Sequence, residues 1–173
     1  MTSTKYPAIL LSLVVLTLAA CSGDGDSAPT SRADENVLIL EREACFGTCP
    51  AYRVEVTAAG LVRWTGRSDV AVAGIDSAWI ARDSVSALWE EFGAVRAAFP
   101  ARYLPDWITC FRRATDNPTL TIIGRQNAEA ADTLTHYFGC RSWEPQRFIA
   151  YEDRIDRALG TERWIGRARG ELP

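Results

Sequence analysis

The stretch Tyr52–Gly66, YRVEVTAAGLVRWTG, decides the fold. Its first five residues alternate strictly, with Tyr52, Val54 and Val56 on one side and Arg53 and Glu55 on the other, which is the period of a half-buried strand. Gly60 then supplies the positive φ that a tight turn requires, and LVRWTG runs back with Val62 and Trp64 sharing a face. A strand, a turn and a returning strand make an antiparallel hairpin. Upstream, VLILERE (Val37 to Glu43) is a short apolar run closed by charge and adds another strand. A fourth is expected at Val70 to Ile75.

Helical spacing follows. Val85, Leu88, Trp89, Phe92, Val95 and Phe99 recur on one side of a segment that opens near Asp83, read as its N-cap, and closes before Pro100. Beyond an irregular stretch to Pro118, TLTII and DTLTHYF form a second hairpin around GRQNAEA. The last element opens at Pro145, carries Phe148, Ile149, Glu152, Ile155 and Leu159 along one side, and stops at Gly160. The order ββββ-α-ββ-α predicts an α+β fold, a mainly antiparallel sheet of about six strands packed with two helices.

The amino-terminal part has a different character. Lys5, an apolar run from Ala8 to Ala20, and small residues before Cys21 give residues 1–20 the pattern of a signal peptide, too short to span a bilayer comfortably. Leu18, Ala19 and Ala20 before Cys21 resemble the lipobox of bacterial lipoproteins. That resemblance implies cleavage before Cys21, diacylation (palmitate-type chains) of its residue, and, with Ser22 rather than Asp following, an outer-membrane address on the periplasmic face. The alternative is a secreted protein cut near Ala20. Residues 21–36 form the lipidated cysteine and a flexible tether rich in Ser, Gly, Asp and Pro. Asp24, Asp26 and Glu35 fall on a calcium-loop spacing, but Ala28 and Pro29 stand where that loop needs an oxygen ligand and a glycine. Residues 37–173 make a single domain, long enough to bury a core.

Charge narrows the partners. Lys5 is the sole lysine, so beyond the leader the basic residues are all Arg, set against 22 acidic ones. The formal net charge of −3 and the absence of a basic block argue against nucleic acid. A membrane reached through the lipid, and an envelope protein or cell-wall partner, remain.

With Cys21 acylated, Cys45, Cys49, Cys110 and Cys140 are left. In an oxidising compartment an even set reads first as two disulfides. Three connectivities are possible. Pairing Cys45 with Cys49 and Cys110 with Cys140 is favoured here, because Phe46, Gly47 and Thr48 form the turn between two strands and Gly47 can close a tight ring. An extended strand would hold Cys45 and Cys49 about 13 Å apart, whereas a disulfide needs Cα atoms within about 7 Å.

A sharper chemistry competes. CFGTCP fits the CxxxCP pattern and resembles the copper and thiol site of Sco-type assembly proteins, which would make Cys45, Cys49 and His136 a Cu(I) ligand set with copper as cofactor, or Cys45 and Cys49 a redox couple. In that family the motif opens a helix in a thioredoxin-like fold; here Pro50 is followed by an alternating strand, and only Arg42 and Arg53 are close by in sequence to lower a thiol pKa.

A second resemblance covers about residues 37–166. LEREACFGTCPAYRVEV, GLVRWTG, TDNPTLTI, HYFG and EDRIDRALGTERWIG are similar to a family of bacterial lipoprotein-type domains of unestablished function, marked most strongly by the block CFGxCPxY. It implies a fold grouping and carries no activity. Cys110 and Cys140 are an addition to that pattern.

Other candidates for chemistry are thin, so no catalytic residue is assigned. His136 shares a strand side with Leu134 and Phe138 and reads as a satisfied, partly buried histidine. Glu90/Glu91 and Glu152/Asp153 read as solvated helix faces, and Asp116 before Asn117 and Pro118 as a turn. Trp64 and Trp89 fit core positions, while Trp79, Trp107, Trp143 and Trp164 fall in or near loops. The expected function is a lipid-anchored binding or structural module, with a thiol or Cu(I) protein as the alternative.

Overall fold

The computed structural model describes residues 36–98, 102–103, 110, 112–127, 131–140 and 146–166. The expected hairpin forms: β2 (Ala51–Thr57) and β3 (Leu61–Ser68) pair antiparallel with Val56 opposite Val62. Gly60 turns the chain at φ +97°, and a Cβ there would lie 2.3 Å from the carbonyl oxygen of Ile80, so glycine is required twice over.

β1 (Val37–Arg42) sits in the middle, between β2 and β6 (Thr119–Arg125); β6 pairs in turn with β7 (Asp132–Tyr137). β4 (Gly74–Trp79) closes one edge against β3, and the two-residue β5 (Arg102–Tyr103) adds a short parallel pairing outside β7. The spatial order is β4-β3-β2-β1-β6-β7-β5. Six antiparallel strands with two main helices in the order ββββ-α-ββ-α make an α+β fold.

One sheet face carries the core. Leu38, Leu40, Tyr52, Val54, Val56, Val62, Trp64, Leu120, Ile122 and Leu134 cluster with residues of α1 (Arg82–Ala98) and α2 (Gln146–Leu159). Val85, Leu88, Phe92 and Val95 come from α1, Phe148, Tyr151, Ile155 and Leu159 from α2. The Tyr151 hydroxyl donates to the Leu88 carbonyl at 3.1 Å and fixes one helix on the other. The opposite face bears Arg53, Glu55, Arg63 and Thr65, half-buried or exposed. There Glu41 accepts from both Arg53 and Arg67.

Four expectations shift. Val70–Ala73 is not strand, and β4 begins only at Gly74. The reason lies in its hydrogen bonds: Ala71 and Val72 donate their N–H groups to Ile165 and Trp164, and the Val72 carbonyl accepts from the Trp64 indole at 2.9 Å. Asp83 lies inside the first turn of α1, one residue past its start, rather than capping it. Trp164, expected in a loop, is 2 % exposed: it sits on α3 (Glu162–Ile165), a single turn that packs into the core. Glu152 is buried, not on a solvated face. The expected leader, tether and lipidated Cys21, with Asp24, Asp26 and Glu35, lie outside the described residues, as do Phe99, Pro100, Trp107, Trp143 and Pro145.

Candidate functional site

Both cysteine pairs lie at one end of the sheet, where β1 leaves, β2 enters, β6 enters and β7 leaves. The β1–β2 connection closes a small ring, Cys45 bonded to Cys49 with Cα atoms 5.6 Å apart. Gly47 makes the ring possible at φ +150°, its N–H donating to the Cys45 carbonyl at 3.0 Å. Side chains at the ends of the ring are half-buried, whereas Phe46 at its apex is 90 % exposed. Beside it, Cys110 is bonded to Cys140, Cα to Cα 5.4 Å, and both are buried.

Backbone bonds weld these loops together. Phe46 N–H donates to Asp116 O at 3.3 Å, and Glu43 N–H to Thr119 O at 2.9 Å. Asp116 holds φ +66°, the turn its sequence context announced. Ala114 N–H donates to Gly139 O at 2.7 Å while the Tyr137 hydroxyl donates to Ala114 O at 2.6 Å. The result is a cross-linked platform from which, among the described residues, Phe46 projects.

Beneath the platform runs a polar network. Arg42 donates through Nε to the Tyr52 hydroxyl at 3.2 Å and through Nη2 to Asp156 Oδ2 at 2.8 Å, and the Tyr52 hydroxyl donates to Asp156 Oδ1 at 2.7 Å. Thr161 Oγ1 donates to the same Oδ1 at 2.9 Å. Arg42 also lies over the Phe138 ring, 5.3 Å from its centroid. Burial alone would loosen the Arg42 proton, but the Tyr52 and Asp156 oxygens outweigh it and hold the guanidinium more firmly charged than in water. Burial pushes the Tyr52 hydroxyl well above the ordinary phenol value, and the Asp156 carboxylate adds to that push. The network pins β1, β2 and α2 under the loops, and no local pattern announces it, since Arg42 and Asp156 are 114 positions apart.

His136 stands on β7 at 5 % exposure, its Nδ1 2.8 Å from Glu152 Oε1 and its ring between Phe138 and Phe148. A histidine so partnered orients α2 on the sheet. Among the described residues, no group of three or more His, Cys, Asp or Glu side chains is placed to hold a metal ion. Cys45 and Cys49 precede a strand, not a helix, and are joined to each other.

The described hollows lie elsewhere. One of about 170 Å³ is lined by Trp89, Phe92, Arg96 and Asp132 at the opposite end of the sheet, and an open groove of about 550 Å³ runs between α1 and α2. No helix among the described residues is long and apolar enough to cross a membrane. No match was found among curated proteins. A family model does match, over residues 36–159, which takes in the hairpin, the stapled end and both main helices. The chain belongs to the family described as Domain of unknown function (DUF6438).

Proposed function

We propose that this chain is a lipid-anchored envelope protein that works as a binding module, held to an outer membrane through acyl groups on Cys21 and offering its stapled end to a partner protein or the cell wall. The observation that carries the reading is Phe46, 90 % exposed at the apex of a ring closed by Cys45 and Cys49. The covalent loop holds the backbone that presents this aromatic, so a partner that buries it meets the ordering cost of the side chain and not of the loop. Two disulfides suit an oxidising compartment, and the LTLAAC stretch ending at Cys21 supplies the means of attachment. Two acyl chains would hold the domain on the bilayer far more firmly than one.

The test has two arms. Mass spectrometry of the processed chain should find Cys21 acylated, and Cys21→Ser should move the protein from the membrane to the soluble fraction. A photo-crosslinking aromatic placed at Phe46 in intact envelopes should capture a discrete partner, and the capture should be lost when Cys45 and Cys49 become Ser. An unmodified Cys21 overturns the anchor. Capture that survives opening of the ring overturns the docking role. Titratable thiols at Cys45 and Cys49 in the native protein would move the reading to thiol or Cu(I) chemistry.

A further inference from the structure

The β4 edge is unlike the edges that folded proteins normally expose. Such strands are blunted by lysine, proline, bulges, charge or a covering element, and the one charge of β4, Asp76, is engaged by the Trp164 indole on the core-facing side. β4, GIDSAW, has no Lys or Pro and pairs with β3 without a register shift. Two of its side chains are large, apolar and in water: Ile75 is 86 % exposed and Trp79 68 %. With Ser77 they line the sheet face opposite the helices.

Backbone polarity can be read along the strand. Ile80 N–H donates to Gly60 O, which makes Gly60–Ile80 a hydrogen-bonded pair; alternation then turns the N–H and C=O groups of Ile75, Ser77 and Trp79 away from β3. Among the described residues no further strand meets this outer ladder. In the isolated chain the Ser77 N–H is covered by Asp76 Oδ1 at 2.8 Å.

We propose that β4 pairs antiparallel with β4 of a second copy of this chain, Ser77 lying opposite Ser77 on a two-fold axis. That register sets Ile75 opposite Trp79 of the second copy, twice over, as aromatic–β-branched cross-strand pairs on the open face. Charge selects it. Asp76, the one ionised side chain of β4, then faces Ala78, whereas a slip that centres the axis on Asp76 brings two carboxylates together and leaves each Ile75 against Ser77. The same face stays on the same side in both copies, so the sheet continues across the axis.

Area sets the strength. Ile75 and Trp79 from two copies remove on the order of 500 Å² from water before the backbones are counted. That is below the roughly 1,200 Å² of a stable free complex, and the Ser77 N–H must exchange Asp76 for a carbonyl, so the dimer is weak and reversible. It does not depend on Phe46 or on Cys21.

The experiment uses the full chain with Ser77→Cys. Opposed residues of a hydrogen-bonded antiparallel pair have Cα atoms about 5.5 Å apart, within disulfide range, so mild oxidation should give a covalent dimer of twice the chain mass. Arg63→Cys, on the same exposed face but one strand inward, should not. Adding Trp79→Lys to the Ser77→Cys chain should lower the linked fraction about tenfold, equivalent to about 1.4 kcal/mol, with the thermal melt unchanged. Linking no greater than that of Arg63→Cys, linking indifferent to Trp79→Lys, or a product whose mass shows a different protein overturns the proposal.

Discussion

The two flanks of the sheet are held by different means. On the β2–β3–β4 flank three rings stack in file, Tyr52 on Trp64 at 4.7 Å and Trp64 on Trp164 at 5.2 Å. Each has its polar atom satisfied nearby: Tyr52 by Asp156, Trp64 by the Val72 carbonyl, Trp164 by Asp76 Oδ2 at 2.7 Å. On the flank where β1, β6 and β7 meet their loops, the β1–β2 connection is longer than the β2–β3 turn, and two disulfides take over. Burial secures the side that can gather large aromatic surfaces; sulfur secures the side that must keep its loops in water.

The contrast can be broken most severely from the aromatic side. Trp164→Ala should cost about 3–5 kcal/mol in urea unfolding, because it empties a ring-sized space beside Trp64. Should the variant fail to fold, Trp164→Phe keeps part of the stack and should lie between it and the parent. On the other flank, Cys110→Ser with Cys140→Ser should cost about 3.5–4 kcal/mol on a chain-entropy estimate and the Cys45/Cys49 pair about 2, so the long loop matters more to stability and the short ring more to shape. Asp156→Ala, which joins the flanks, should cost about 2–3 kcal/mol by stripping partners from Arg42, Tyr52 and Thr161 together.

Alkali offers a gentler probe. Burial raises the Tyr52 and Tyr151 hydroxyls above the ordinary value of 10.0, helped by Asp156 and Glu91 respectively. A raised value means stability that is complete below about pH 10 and is lost as pH climbs toward the folded-state value, at up to about 1.4 kcal/mol per pH unit for each group. Phenolate absorbance should therefore show these two ionising together with unfolding; ionisation in the folded state would loosen the account of both sites. The smallest effect belongs to Phe46→Ser, which should leave unfolding within about 0.5 kcal/mol of the parent and so separate recognition from stability.

Much of the fold was legible because its strands obey a period of two and its helices a period near four. YRVEV and LVRWTG could be read directly, and the described part of α2 follows the spacing of Phe148, Ile155 and Leu159. The misplaced fourth strand shows the limit of that method. Val70 and Val72 mimic a strand pattern, yet this segment is engaged by carbonyls of α3, nearly a hundred residues later, and no local signal could reveal it. Trp164 escaped for the same reason, since one turn of helix is too short to display a period. Glu152 looked solvated beside the exposed Asp153, and its partner His136 sits on a different element. At the stapled end the ring could be drawn from its glycine and spacing, but the network below it depends on pairs that only the tertiary fold brings together.

Trp164 lies a hundred positions beyond Trp64 in the chain, and its side chain completes the file of rings. During synthesis the core must therefore wait: until that indole arrives, the Trp64 face is wet, and Asp76 has no ring N–H to receive. A chain that has made its β2–β3 hairpin but not yet docked this one helical turn holds its aromatic file open on one side, so a lesion confined to four residues would leave the sheet formed and unsealed.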